Sequence, residues 1–280
     1  MLMFSSSVLS RLVLAISFLL TAVTTASSQE QPCVFPRRDQ VIAHVRAVAY
    51  QSLTGSTYYY FLENEVSARQ SLVSFAVQGF ADDERSPVQT SPTNWEAGGR
   101  ISRSAFFVWD TFVEPRGLAP GESAVGFGFS QASLPAIVGF LAWGDVEPPT
   151  FPEGEAPSSC ENTNILENGF KGSTIGPKPP ASFVPLDFLD FLINVVDRSR
   201  QLGWIKVKGV HLSLLVKLGD VKRMLEANQE GVAKNILNAF LNEVRATSCP
   251  RLSCPGNKPL TSEAYALLFF NGRFLLERLP

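Results

Sequence analysis

Apolar and polar residues alternate along the first half of the chain, in short segments rich in aromatic and β-branched side chains. This spacing is typical of strands with one buried face. The predicted strands are Val41–Val48, Thr57–Leu62, Leu72–Val77, Ile101–Trp109, Ala124–Phe129 and Ile137–Trp143. Turn-forming residues fill the gaps, and no helical stretch lies between the strands. The pattern predicts an antiparallel β-sandwich domain over residues 33–145.

The second half of the chain repeats its apolar residues at helical spacing. Amphipathic helices are predicted at Leu186–Arg200, Val210–Glu226, Glu230–Arg245 and from Thr261 onward. Gly203 can end the first helix in a left-handed conformation, and Thr261 is a favourable N-cap for the last. Most of the connections are short, which favours antiparallel neighbours. We therefore predict an up-down four-helix bundle over residues 181–280, so that the fold class is an all-β domain followed by an all-α domain.

The segment 146–180 separates the two patterns. It contains seven prolines, which disfavour both regular helix and central strand. We interpret it as a Pro/Gly-rich linker between the two domains.

The first 28 residues have the features of a secretory signal peptide. Arg11 precedes an apolar run at 12–20, and small residues follow it. A membrane anchor is the alternative, but the run is shorter than the ~20 apolar residues of a helical span. Export would place the protein in a secreted, periplasmic or cell-surface location, where cysteines are oxidised.

Composition argues against several classes of partner. The formal net charge is −2, so the chain has no cationic excess for nucleic acid or anionic lipid. The two histidines, His44 and His211, have no further ligands at metal-binding spacing, and no cofactor-binding motif is present. Charged residues interrupt the last helix, and no membrane span is expected after signal removal. We therefore predict no metal site and no cofactor.

Two classes of function remain. The first is a non-catalytic binding or structural module that attaches to an extracellular polymer or protein, such as a glycan or the cell envelope. Trp95 is its candidate contact, because it lies in a polar, loop-like segment and an exposed tryptophan can anchor a ligand. The alternative place for Trp95 is one end of the sandwich core.

The second class is an extracellular hydrolase acting on glycans or peptides, which requires an activated nucleophile or paired carboxylates. Asp110 and Glu114, at the end of a predicted strand, are the candidate pair. No sequence motif for a nucleophile or a metal supports them. The binding class is therefore preferred.

Both halves of the chain resemble parts of exported bacterial proteins. In the first half, the likeness to their sandwich domains rests on Tyr58–Asn64, Ser71–Val77, Leu118–Ser123, Gly126–Ser130 and Leu134–Ile137. The second half is similar to the C-terminal helical modules called FIMAH domains, through Gly209–Leu218, Ala233–Ala246 and Leu260–Ala264. This resemblance implies a non-catalytic module of an exported protein.

The four cysteines, in an exported protein, allow three disulfide connectivities. Cys249 and Cys254 lie close together in the loop between the third and fourth helices, whereas Cys33 precedes the first predicted strand and Cys160 follows the last. We predict the bonds Cys249–Cys254 and Cys33–Cys160. Peptide mapping without reduction should recover these two crosslinked pairs, and a peptide joining Cys33 to Cys249 or Cys254 would refute the assignment.

Overall fold

The computed structural model describes residues 37–52, 55–80, 89–98, 106–146, 168–179, 181–252 and 257–279. The predicted signal peptide lies outside these ranges, as do Cys33, Cys160 and Cys254. Cys249 takes part in a disulfide bond, but its partner also lies outside them, so the pairing stays a prediction. None of the helices in the described ranges has the length and apolar character of a membrane span.

Nine strands in the described ranges form two antiparallel sheets. The strands are β1 (Ala43–Ser52), β2 (Gly55–Asn64), β3 (Leu72–Gln78), β4 (Gln89–Thr90), β5 (Glu96–Gly98), β6 (Phe106–Asp110), β7 (Ser123–Gln131), β8 (Pro135–Gly144) and β9 (Phe170–Pro177). The first sheet has the order β1-β2-β7-β4 and the second the order β5-β6-β3-β8-β9. The prediction of antiparallel sheets in the first half is confirmed.

Aromatic side chains fill the space between the two sheets. Every second residue of β2 is buried, as the alternating sequence predicts. From the first sheet, the ring of Tyr60 lies 5.8 Å from that of Phe75 and 6.2 Å from that of Trp109, both in the second sheet. The Tyr60 hydroxyl donates a hydrogen bond of 2.9 Å to the carbonyl of Ile175. The sheets therefore pack face to face, and this buried phenol has a polar partner.

Strand β9 lies inside the segment predicted to be a linker, so that prediction is wrong for Phe170–Pro177. The strand pairs with β8 along its whole length, from Pro177 opposite Pro135 to Phe170 opposite Ala142. The glycines in this segment interrupt the alternation of apolar side chains, so the sequence pattern did not predict a strand here. A Cβ on Gly172 would come within 2.3 Å of the Phe140 ring, so close packing requires glycine at this position.

The helices begin and end near the predicted residues. They are α1 (Pro185–Gln201), α2 (Lys208–Glu226), α3 (Glu230–Thr247), α4 (Ser262–Tyr265), a π-helical turn (Ala266–Phe270) and α5 (Asn271–Arg278). Gly203 follows α1 with a φ of 76°, and the Thr261 hydroxyl accepts the Ala264 N–H at 3.4 Å. Both predicted helix-end signals are therefore confirmed.

The last three of these segments, residues 262–278, are shared between the helices and the sheets. This closing segment contacts α1 and α3 on one side and β1 and β8 on the other. One hydrophobic core runs through strands and helices together, and the described residues belong to one compact unit. A four-helix bundle with its own core is therefore not confirmed. The sequence carries the reason: Ala264 and all of Ala266–Phe270 are buried, and a helix that is apolar all round packs on more than one side.

Two buried polar side chains fix the closing segment to the sheets. Glu263 is 3% exposed, and its Oε1 accepts the backbone N–H of Ala47 in β1 at 2.6 Å. The Nδ2 of Asn271, also buried, donates to the Pro135 carbonyl at 2.9 Å and to the Leu267 carbonyl at 2.7 Å. Because β1 is an edge strand, its outward N–H groups need such partners when a helix covers them.

Replacing Glu263 with alanine should lower the free energy of unfolding by about 2 kcal/mol, because it leaves the Ala47 N–H buried without an acceptor. Glu277→Ala is the matched control. It removes an exposed ion pair with Arg273 and should cost less than about 1 kcal/mol. Urea denaturation of the two variants measures the difference. Equal losses would contradict an anchoring role for Glu263.

Candidate functional site

Trp95, the ligand contact predicted from the sequence, lies in the core. It is 7% exposed, and its ring meets the Phe127 ring edge-to-face at 4.9 Å. A tight turn brings it inward: the Trp95 N–H donates to the Pro92 carbonyl at 3.1 Å, and Asn94 has a φ of 67°. The prediction of an exposed anchor is therefore wrong, and the alternative place, at the sandwich core, is confirmed. The polar residues beside Trp95 form this turn, and the tryptophan ring is directed into the core.

A cleft of about 330 Å³ opens at one end of the second sheet. Strand register builds it, because antiparallel pairing places Ser74 of β3 opposite both Asp110 of β6 and Trp143 of β8. The chain after β6 and after β8 then supplies further side chains. The described residues of this sheet-end cleft are Arg38, Val73, Ser74, Val108, Asp110, Thr111, Phe112, Arg116, Trp143, Gly144, Asp145 and Val146.

Asp110 is a cleft acid with a raised pKa. Burial raises the pKa of its carboxyl above the ordinary value, and a hydrogen bond from the Ser74 hydroxyl lowers it by a smaller amount. A raised pKa means that the folded protein holds this proton more tightly than the unfolded chain does. The contribution of Asp110 to stability therefore falls as pH rises from its unfolded pKa through its folded pKa. Burial of an ionisable carboxyl group in a cleft is unfavourable, and an acid found in such a place is a candidate for ligand contact.

Asp145, rather than Glu114, shares the cleft with Asp110. Glu114 is not among the described residues that line it. Its side chain is 77% exposed and binds the Nε of Arg116 at 3.1 Å. The predicted pair of Asp110 and Glu114 is therefore wrong. Asp145 follows β8, and its Oδ1 lies 3.7 Å from Nη1 of Arg116. Asp110 and Asp145 are far apart in the sequence, and only the pairing of β6 and β8 with β3 brings them together.

Arg38 adds a second cation to the cleft. Its backbone is fixed, since its carbonyl accepts the Gly144 N–H at 2.8 Å. Its guanidinium makes no hydrogen bond or ion pair with the described part of the chain. Planar guanidinium groups bind carboxylates and other paired acceptors through two parallel hydrogen bonds. Arg38 therefore has a fixed backbone and guanidinium donors that no described residue occupies.

An exposed phenylalanine stands at the rim of the cleft. Phe112 is 70% exposed, and its neighbour Val113 is 49% exposed. The indole of Trp143, in contrast, is 2% exposed and forms part of the floor. An exposed aromatic ring beside polar groups is a common feature of ligand-binding surfaces. The cleft therefore combines an apolar rim with hydrogen-bonding groups inside.

Neither histidine, His44 or His211, is among the described residues that line the cleft. His44 bonds the Glu65 carboxylate at 2.7 Å, and His211 bonds that of Asp197 at 2.8 Å. Across the described ranges, no three side chains of His, Cys, Asp or Glu converge as metal ligands would. The arrangement in the cleft can bind a polar ligand through guanidinium, carboxyl and hydroxyl groups and cover it with an aromatic ring.

No family model matches the chain, and no curated protein matches it. Among solved structures, the chain is similar to an uncharacterized protein from Nocardia farcinica whose crystal structure reveals an immunoglobulin-like fold. The two are 14% identical over 48% of this chain and 96% of that chain, with a TM-score of 0.26. A likeness at this level carries no argument about function.

Replacing Trp95 with alanine should lower the free energy of unfolding by about 3–5 kcal/mol, as loss of a large core side chain does. Phe112→Ala removes an exposed ring and should change it by less than about 0.5 kcal/mol. Thermal or urea unfolding of the two variants checks the contrast. A Trp95 variant as stable as the Phe112 variant would show that the indole does not support the core.

Proposed function

We propose that this chain is an exported, non-catalytic binding module that holds a polar extracellular ligand in the sheet-end cleft. One observation carries the proposal: the half-buried acid Asp110 and the available guanidinium of Arg38 line one cleft, with the exposed ring of Phe112 at its rim. Convergent polar groups in a concave surface with an aromatic edge are what a specific ligand site requires.

The expected contacts follow from the chemistry of these three side chains. Arg38 donates two parallel hydrogen bonds to a carboxylate or to neighbouring oxygen atoms of the ligand. Asp110 exchanges hydrogen bonds with a hydroxyl or amide group, and Phe112 packs on an apolar face. Glycans, cell-envelope polymers and extended peptides offer such groups, which makes an extracellular polymer or protein the partner we propose.

Export is part of the proposal and rests on separate support. The N-terminal segment has the features of a signal peptide, and the disulfide at Cys249 suits an oxidising compartment. The helical half resembles FIMAH domains, which implies a non-catalytic module of an exported protein.

A hydrolase is the second candidate, and a specific observation favours it. Asp110, whose pKa burial raises, shares the cleft with Asp145, which lies beside the cation of Arg116. Two carboxyl groups across a cleft can act as general acid and as base or nucleophile. We rank this function second because Arg116 already pairs with Asp145, and no further group in the described cleft activates a nucleophile.

The binding function can be tested with the purified mature protein and a panel of soluble glycans, cell-envelope fragments and peptides. Arg38→Met and Phe112→Ala should each weaken binding of the retained ligand about tenfold or more. Matched controls are Arg69→Met and Tyr50→Ala, which change an exposed arginine and a 53% exposed tyrosine away from the cleft. Full binding by both cleft variants would overturn the assignment of the ligand to this cleft.

The same panel separates the two candidates. A binding module should leave each retained ligand intact on prolonged incubation, as judged by mass spectrometry. Cleavage of a glycoside or peptide bond that Asp110→Asn and Asp145→Asn each abolish would replace the binding function with the hydrolase.

A further inference from the structure

A second cavity, of about 180 Å³, lies where the strands meet the helices. It is lined by the β7–β8 turn, the residues that follow β9 and side chains of α1 and α5, and it is open to solvent on one side. Three phenylalanine rings form its aromatic wall: Phe188 lies 5.7 Å from Phe183 and 5.1 Å from Phe274, and the last two are 5.5 Å apart. Leu134 adds an aliphatic side chain. The cavity is therefore lined mainly by apolar groups.

One charged residue, Lys178, is among the described residues that line this cavity, and none of them is Asp or Glu. Its backbone is fixed by an N–H bond of 2.7 Å to the Leu134 carbonyl. The ammonium group lies 3.7 Å from the centre of the Phe191 ring and 4.5 Å from that of Phe188. These ring faces stabilise the cation in part.

Lys178 has no carboxylate partner in the part of the chain that the structure describes. Burial alone lowers the pKa of its ammonium, with no nearby acid to oppose the shift. The neighbouring pair shows the contrast: Lys222 of α2 binds Asp190 of α1 at 2.6 Å. A half-buried ammonium beside an apolar cavity, with no anion among the described residues, is a binding group for a negatively charged ligand.

A second cation lies against the aromatic wall. The guanidinium of Arg278 stacks at 3.7 Å on Phe274, one of the rings of the aromatic wall. Two of the wall's rings carry cations, and none of the described lining residues is an acid. The site is therefore complementary to an anion with an apolar body.

We propose that this cavity binds a small organic carboxylate with a ring-sized apolar body, its carboxylate against Lys178 and its body against the phenylalanine wall. The volume sets the size, because a dry cavity of about 150 Å³ accommodates a benzene ring. The charge sets the class: a carboxylate gives Lys178 the anion that the protein does not supply. This site is separate from the sheet-end cleft and does not depend on the function proposed for it.

The probe is benzoate, and benzamide is its uncharged counterpart of nearly equal shape. Titration calorimetry with the full mature protein should show saturable binding of benzoate and about tenfold or more weaker binding of benzamide. This comparison needs no variant. Benzamide binding as tightly as benzoate, or benzoate failing to bind, would overturn the proposal.

The variant Lys178→Met tests whether benzoate binds at this cavity, because it keeps an apolar side chain of similar length and removes the charge. It should weaken benzoate binding about tenfold or more. Lys171→Met is the matched control: Lys171 lies in β9, which ends just before Lys178, and it is exposed and is not among the described residues that line the cavity. This variant should bind benzoate as the unmodified protein does. Equal affinity in the two variants would refute recognition by Lys178. If Lys178→Met does not fold, the comparison of benzoate with benzamide decides.

Discussion

The carboxyl group of Glu263 accepts the backbone N–H of Ala47 deep inside the protein, and the joining of helices to sheets depends on this contact. A buried edge strand is unfavourable unless its outward N–H groups find acceptors. Glu263 supplies one, and Asn271 makes the reciprocal contact by donating to a strand carbonyl. The apolar side chains of the closing segment can then cover the sheets without leaving these polar groups unsatisfied.

The shared core explains where the two candidate sites lie. The sheet-end cleft is at an end of the second sheet, where strands stop and their connecting segments bring charged side chains together. The phenylalanine-lined cavity is at the seam between strands and helices, where the two kinds of element do not fill the space completely. Neither site exists within one element, and both depend on how the elements are packed.

The sequence predicted those features that depend on local spacing. Alternation in β2 identified Tyr58, Tyr60 and Leu62 as one face, and all three are buried. Gly203 and Thr261 marked helix ends correctly, because left-handed glycine and side-chain capping are local effects. The features that failed depend on distant residues. The glycines of β9 masked its strand pattern, although close packing against β8 requires glycine there. Trp95 points inward because its polar neighbours form a tight turn, which the sequence pattern alone did not reveal. The cleft could not be predicted, because Asp110 and Asp145 meet only through strand register.

The hydrogen bond from Ala47 to Glu263 spans 216 positions of sequence. Contacts of such long range form late, since the chain must first close a large loop. During synthesis, β1 leaves the ribosome long before its partner, with an edge and part of an apolar face uncovered. Until the closing segment has emerged, β1 lacks the Glu263 acceptor and the apolar cover that it has in the folded protein. During this delay, the uncovered strand edge and apolar surface make the nascent sheets dependent on protection from aggregation.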